Sequence, residues 1–176
     1  SKISERLNDI PRIEKVLIER DLPNTLKIRI EERQPVARLT NKKLERFPNL
    51  IDRYGVVFFN PSVNYKLPTI TGFDQDIRPG VKLSNRDIDF STRIINLVAS
   101  NINLNKYIEI DEINIKHSDY IKLILHNNAE VRIPRFTFEA NLNKLATIIK
   151  IEDGQGRNIK SVDLTVDSIK VPVRYF

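Results

Sequence analysis

The stretch Leu22-Pro23-Asn24-Thr25-Leu26-Lys27-Ile28-Arg29-Ile30-Glu31-Glu32-Arg33-Gln34-Pro35-Val36 decides how this chain is read. Pro23-Asn24 predicts a turn, because proline presets φ and asparagine hydrogen-bonds to its own backbone. After the turn, Leu26, Ile28 and Ile30 alternate with Lys27, Arg29 and Glu31. A period of two predicts a strand with one buried face and one wet face. Upstream, Ile13 to Glu19 is a second apolar run rich in β-branched residues. The two runs predict an antiparallel hairpin about the Leu-Pro-Asn turn. Pro35 then stops the ladder, having no N–H to donate.

Outward from this hairpin, 176 residues suit one domain or two small ones. A hydrophobic fraction of 40% and a charged fraction of 30% are globular values. There is no cysteine, which excludes a disulfide scaffold and a thiolate zinc site. With Ser1 in first place and no methionine, the chain is expected to be part of something longer. No apolar run approaches the roughly 18 residues of a membrane span, so any anchor is expected outside these residues. The net charge of +6 is spread through alternating acids and bases. A nucleic-acid binder would need a basic stripe with interleaved aromatics, and none is seen.

Taken in order, Ile3, Leu7 and Ile10 have helical spacing, and Pro11 closes that helix. Asn41 to Pro48 predicts a polar loop. Leu50-Ile51 and Val56-Val57-Phe58 flank Asp52-Arg53-Tyr54-Gly55, a hairpin with Gly55 free to take positive φ. Ser84 to Asn101 predicts a helix opened by a Ser84/Asp87 capping box, with Phe90, Ile94, Leu97, Val98 and Ile102 on one face. Tyr107 to Ile115 is a strand with a bulge expected near Asp111-Glu112, where the isoleucines change phase. Tyr120 to Leu125 and Ala129 to Ile133 pair across Asn127-Asn128. Phe136 to about Lys150 is a second helix, facing inward through Phe138, Leu142, Leu145 and Ile149 and ended by Asp153-Gly154-Gln155-Gly156. Ile159 to Val166 and Ile169 to Val173 are the last strands. This order predicts an α+β fold, a mostly antiparallel sheet with helices packed on one face.

Little of the sequence reads as chemistry. His117 and His126 fall in or beside hairpin turns without a partner at ligand spacing. Asp74 and Asp76 lack the glycine and terminal glutamate of a calcium loop. Gly154-Gln155-Gly156 is too short and wrongly flanked for a phosphate cradle. No nucleophile elbow is present, and Glu31-Glu32 diverge as neighbours on a strand. No enzyme, metal, cofactor, small-molecule substrate or nucleic acid is indicated, and a binding module remains.

The wording of Leu22–Val36 resembles the end of the POTRA domain in the bacterial cell-division family FtsQ, called DivIB in Gram-positive bacteria. The matching residues are Leu22-Pro23-Asn24-Thr25-Leu26, Ile28, Ile30, Glu32-Arg33 and Pro35-Val36. Asp52 to Phe58 is similar to the element that opens the family's β domain. Leu67-Pro68-Thr69-Ile70-Thr71-Gly72 looks like its "LP-x-l-x-G" segment, and Val162-Asp163-Leu164-Thr165-Val166-Asp167-Ser168 like its "vDLR-y-d-s" motif. The resemblance implies a POTRA remainder over 1–39, a helix plus hairpin without the first strand and helix, and the β domain over 40–176. It also implies the periplasmic or outer side of the inner membrane, a single-pass anchor outside these residues, and septum formation as the setting. The implied partners are FtsB-like and FtsL-like proteins and other divisome components.

In the family, the strand after the last motif receives a partner strand by β-augmentation, in which main-chain hydrogen bonds give affinity and alternate side chains give choice. Carried across, the partner-binding residues are Thr165, Val166, Ser168, Ile169, Lys170, Val171, Val173, Arg174 and Tyr175. Thr165 stands where the family usually has Arg, and Val166 where an aromatic is common. A charged contact to an acidic partner would then be lost or taken over by Arg174. Pro172 is expected to remove one donor from the added pairing. The competing reading is a POTRA-type chaperone module of an outer-membrane assembly or secretion protein.

Overall fold

A computed structural model describes residues 2–40, 49–61, 66–135, 137–166 and 170–176. The opening hairpin forms as its alternation predicts. Strands β1 (Ile13–Asp21) and β2 (Thr25–Glu32) make a two-stranded antiparallel sheet across the turn at Leu22-Pro23-Asn24, whose Leu22–Pro23 peptide is cis. Val16 faces Ile30, Ile18 faces Ile28 and Arg20 faces Leu26. Helix α1 (Lys2–Asn8) packs on β1.

The expected buried face of β2 is not buried. Every residue of β2 is exposed, Leu26, Ile28 and Ile30 at 43%, 43% and 48%. Among the described residues α1 covers β1, and nothing comparable lies over β2. The 41–48 loop lies outside the described residues.

The remaining strands form a nine-stranded sheet, ordered β11-β10-β9-β8-β7-β6-β3-β4-β5. These are β3 (Pro35–Leu39), β4 (Asn49–Asp52), β5 (Val57–Phe59), β6 (Thr69–Thr71), β7 (Ile110–Asn114), β8 (Tyr120–Leu125), β9 (Glu130–Pro134), β10 (Ile159–Asp163) and β11 (Val173–Tyr175). Pairing is antiparallel at β10–β11, β8–β9, β7–β8, β3–β4 and β4–β5. It is parallel at β9–β10, β6–β7 and β3–β6. Pro35 ends one ladder and opens the next strand, a position where its missing N–H is tolerated. The residues expected to close the first unit, 35–39, pair instead with β4 and β6 in the large sheet.

Helices α2 (Arg86–Ser100) and α3 (Ile102–Asn105) carry the β6–β7 crossover and α4 (Phe138–Gly154) the β9–β10 crossover. Helices α2 and α4 touch each other, so both cover the same face of the sheet. The cap of α2 is Asn85, not Ser84; its side chain accepts from the N–H groups of Asp87 and Ile88. The buried face of α2 is Ile88, Ser91, Thr92, Ile94, Ile95 and Val98, turned from the expected one toward Ile88 and Ile95. Phe90 and Leu97 are only half-buried, and Ile102 is 83% exposed on α3. The α4 face is the expected one, with Phe138, Leu142, Leu145 and Ile149 all buried.

Strand phase follows the alternation. Ile121, Leu123 and Leu125 meet Val131 and Ile133 in the core, while Glu130 and Arg132 stand outside. The register of β7 shifts between Ile110 and Glu112, the expected bulge. Asn128 takes φ 65° at the β8–β9 turn. Gly72 has φ 86°, and a Cβ there would lie 2.6 Å from the Lys116 nitrogen.

Candidate functional site

Strand β11 is the edge of the large sheet and is shorter and later than Ile169–Val173. Ser168 and Ile169 lie outside the described residues. Pro172 O accepts from the Asp163 N–H at 3.0 Å, and the Phe176 N–H donates to Asn158 O at 3.2 Å. Backbone groups alternate sides along a strand, so Pro172, Arg174 and Phe176 turn toward β10. Val173 and Tyr175 therefore point their N–H and C=O to the open side. The expected loss of a donor at Pro172 is corrected by this phase: its missing N–H faces β10, not the open edge.

The side chains around β11 are held in place. Val171 and Val173 pack on the core, while Lys170, Arg174 and Tyr175 are exposed. Arg157 lies 5.2 Å over the Tyr175 ring, and its Nε donates to Glu152 Oε2 at 2.5 Å. Glu152 is buried at the end of α4, and desolvation, with Glu152 adding to it, raises the Tyr175 phenol above its ordinary 10.0. This Glu152–Arg157–Tyr175 knot fixes the end of β11 to α4. Sequence reasoning missed it, because a buried glutamate on a helix carries no pattern of its own.

Thr165 and Val166 are exposed just past β10 and not on β11. The Thr165 N–H and Oγ1 both donate to Asp163 Oδ1, at 3.0 and 2.5 Å, which ends β10 with a local turn. Alongside, a cleft of about 410 Å³ is lined by Glu130, Arg132, Lys160, Asp163, Arg174 and Phe176, among others. The opposite edge of the sheet is paired at its start. Residues 80–83 run beside Gly55 to Val57, with the Val57 N–H donating to Val81 O and the Leu83 N–H to Gly55 O. Among the described residues no strand lies outside β11.

The histidines separate. His117 stacks on Tyr120 at 4.5 Å. His126 Nδ1 lies 3.2 Å from Asp111 Oδ2, and Glu109 stands close by, so three possible metal ligands converge. A cation already sits among them. Lys66 Nζ donates to Glu109 Oε1 at 2.5 Å and lies 3.1 Å from His126 Nδ1. That hydrogen bond raises the lysine above its ordinary 10.5 and lowers Glu109 below 4.5. The group reads as an exposed ion-pair network.

Two family models divide the chain along the same lines as the sheets. The FtsQ-type POTRA domain matches residues 1–33, and the C-terminal region of cell division protein FtsQ/DivIB matches residues 37–165. The chain belongs to the FtsQ/DivIB family. It therefore has a role in cell division, among non-enzymatic division proteins of septum formation. The second match sets it apart from the outer-membrane assembly and secretion proteins that the hairpin alone left open. A similar solved structure is the major extracytoplasmic domain of the trans isomer of the cell division protein DivIB from Geobacillus stearothermophilus. It is 13% identical, with 70% of this chain and 97% of that chain covered and a TM-score of 0.41. No curated protein matches the chain. Among the described residues no helix is long and apolar enough to cross a membrane.

Proposed function

We propose that this chain is a non-enzymatic scaffold of the divisome that takes a strand from an FtsB-like protein, with its FtsL-like companion, along β11. The observation that supports this is the asymmetry of the sheet. One edge, β5, is paired at Val57 by residues 80–81, and the other, β11, offers the N–H and C=O groups of Val173 and Tyr175. An unpaired strand edge is a template for another chain, and main-chain pairing is sequence-tolerant. Lys170, Arg174 and Tyr175 then choose the partner. Thr165 and Val166 act at one remove, by ending β10. The protein is anchored to the membrane by a segment outside these residues and works on its outer side.

The test is a titration of the isotope-labelled chain with a peptide covering the partner's terminal strand. The Val173 and Tyr175 amides shift most and become protected from exchange, and Lys170→Glu weakens binding at least about fivefold with the fold intact. Largest shifts along β5 or the β1–β2 hairpin, with β11 unmoved, would overturn the reading.

A further inference from the structure

Two of the stretches that carry the resemblance, Pro35-Val36 and Leu67-Pro68, have no part in strand addition at β11. In the fold they meet. Together with Ile95, Val98 and Ala99 of α2 and Ile108 and Ile110 before and at the start of β7, they wall a cleft of about 350 Å³. That is within the size range of ligand pockets, and its walls are chiefly apolar. It opens at the end of the helix-covered core, where α2 gives way to α3.

The polar part of the rim is Lys66, Glu109 and Asp111. Lys66 is engaged with Glu109. Asp111 has His126 Nδ1, outside the cleft lining, at 3.2 Å. The mouth thus carries two carboxylates against one ammonium, on a chain whose net charge is +6. An apolar floor beside an excess carboxylate is complementary to an apolar side chain next to a cation.

We propose that this cleft is a second docking site, for a peptide segment that buries a leucine-sized side chain between α2 and the Pro35–Val36 and Leu67–Pro68 segments. An adjacent lysine or arginine of that segment pairs with Asp111, the carboxylate of the rim that Lys66 does not engage. The site is distant in the sheet from β11, separated from it by β8, β9 and β10, so both are open to partners at once. It goes beyond the strand-addition reading and does not depend on it.

The experiment uses two capped tetrapeptides, Gly-Leu-Lys-Gly and Gly-Leu-Glu-Gly, added to the labelled chain at millimolar concentration. The lysine peptide gives saturable shifts at Val36, Val98, Ile108 and Asp111, and the glutamate peptide binds at least about fivefold more weakly. Ala99→Leu, a change at an exposed helix position that fills the cleft, abolishes the shifts while leaving the rest of the spectrum in place. Equal affinity for the two peptides, shifts that survive Ala99→Leu, or no saturable shift at these residues would each overturn the proposal.

Discussion

Arg33 Nη1 lies 2.7 Å from Asp52 Oδ2, and the pair ties the base of the opening hairpin to the first turn of the large sheet. Arg33 comes from the Glu-Arg-x-Pro-Val run and Asp52 from the Asp-Arg-Tyr-Gly turn, so two segments that look unrelated in sequence are halves of one joint. Asp52 is 1% exposed, and its other oxygen accepts from the N–H groups of Tyr54 and Val56 at 2.9 and 2.8 Å. Arg33 also donates through Nε to Pro11 O at 2.9 Å and through its backbone N–H to Arg12 O at 2.8 Å. One guanidinium and one carboxylate therefore hold helix end, hairpin base and turn together.

Removing either partner leaves a charge with poor access to water, which costs about 3–5 kcal/mol. Arg33→Ala and Asp52→Ala each lower the thermal midpoint by on the order of 10 °C, at roughly 2–4 °C per kcal/mol for a chain of this size. Asp52→Asn is milder, because its Oδ1 still accepts the two turn N–H groups. A cycle with Arg33→Ala and Asp52→Asn gives a coupling energy of about 1–3 kcal/mol. Additive midpoints in calorimetry would show that the joint is not a unit.

The glycines separate strain from space. Gly72 combines φ 86° with a backbone nitrogen 2.6 Å from an added Cβ, whereas Gly156 has φ 66° and nothing within 4 Å. Gly156→Ala carries only the conformational term, about 1–2 kcal/mol. Gly72→Ala must also push the Lys116 backbone aside, so its loss is larger by at least about 1 kcal/mol. Equal denaturation midpoints for the two variants would contradict this.

At the candidate edge, proline substitutions read the phase of β11. At Arg174, a proline removes an N–H that faces β10 and leaves the Ser161 carbonyl of the neighbouring strand short of a donor, a cost of about 1–3 kcal/mol. At Val173, the lost N–H faces outward. Val173→Pro therefore weakens partner binding at least tenfold with a smaller fall in stability, and Arg174→Pro does the reverse. Binding by calorimetry beside a urea titration distinguishes the two. If both variants bind alike at matched stability, the outward ladder is not used.

The same strand shows what the sequence carries and what it hides. The two paired strands expected over Tyr120–Leu125 and Ala129–Ile133 form as β8 and β9, and their burial alternates residue by residue, because each side chain answers only to the sheet. The α4 face was equally legible. The start of α2 was not, since Ser84 and Asn85 both cap well and only the fold decides between them. Leu26, Ile28 and Ile30 announce a face made for burial, yet in this structure β2 lies bare: alternation records which side a cover would take and is silent on what supplies it. The parallel pairings β6–β7 and β9–β10 depend on crossovers through helices and β3–β6 on one that passes through β4 and β5, and local pattern does not encode them. The Arg33–Asp52 joint and the Glu152–Arg157–Tyr175 knot hold charges that are ordinary in sequence and acquire meaning only when distant segments meet.

The Lys66–Glu109 contact sets a pH dependence with a definite sign. Both side chains are largely exposed, and Glu109 is held below its ordinary 4.5 first by the Lys66 hydrogen bond, with His126 and Lys66 charges adding to it and desolvation and Asp111 opposing. A carboxylate whose folded value is depressed adds stability above its unfolded value and loses that addition as pH falls through the folded value. The contribution is thus complete at neutral pH and fades below about pH 4.5. Lys66→Ala returns the Glu109 carboxyl toward 4.5 in a carbon-detected NMR titration. Raising salt to about 1 M shifts the parent in the same direction, since screening is strong for exposed charges. A Glu109 titration unmoved by Lys66→Ala would show that the 2.5 Å contact is not populated in solution.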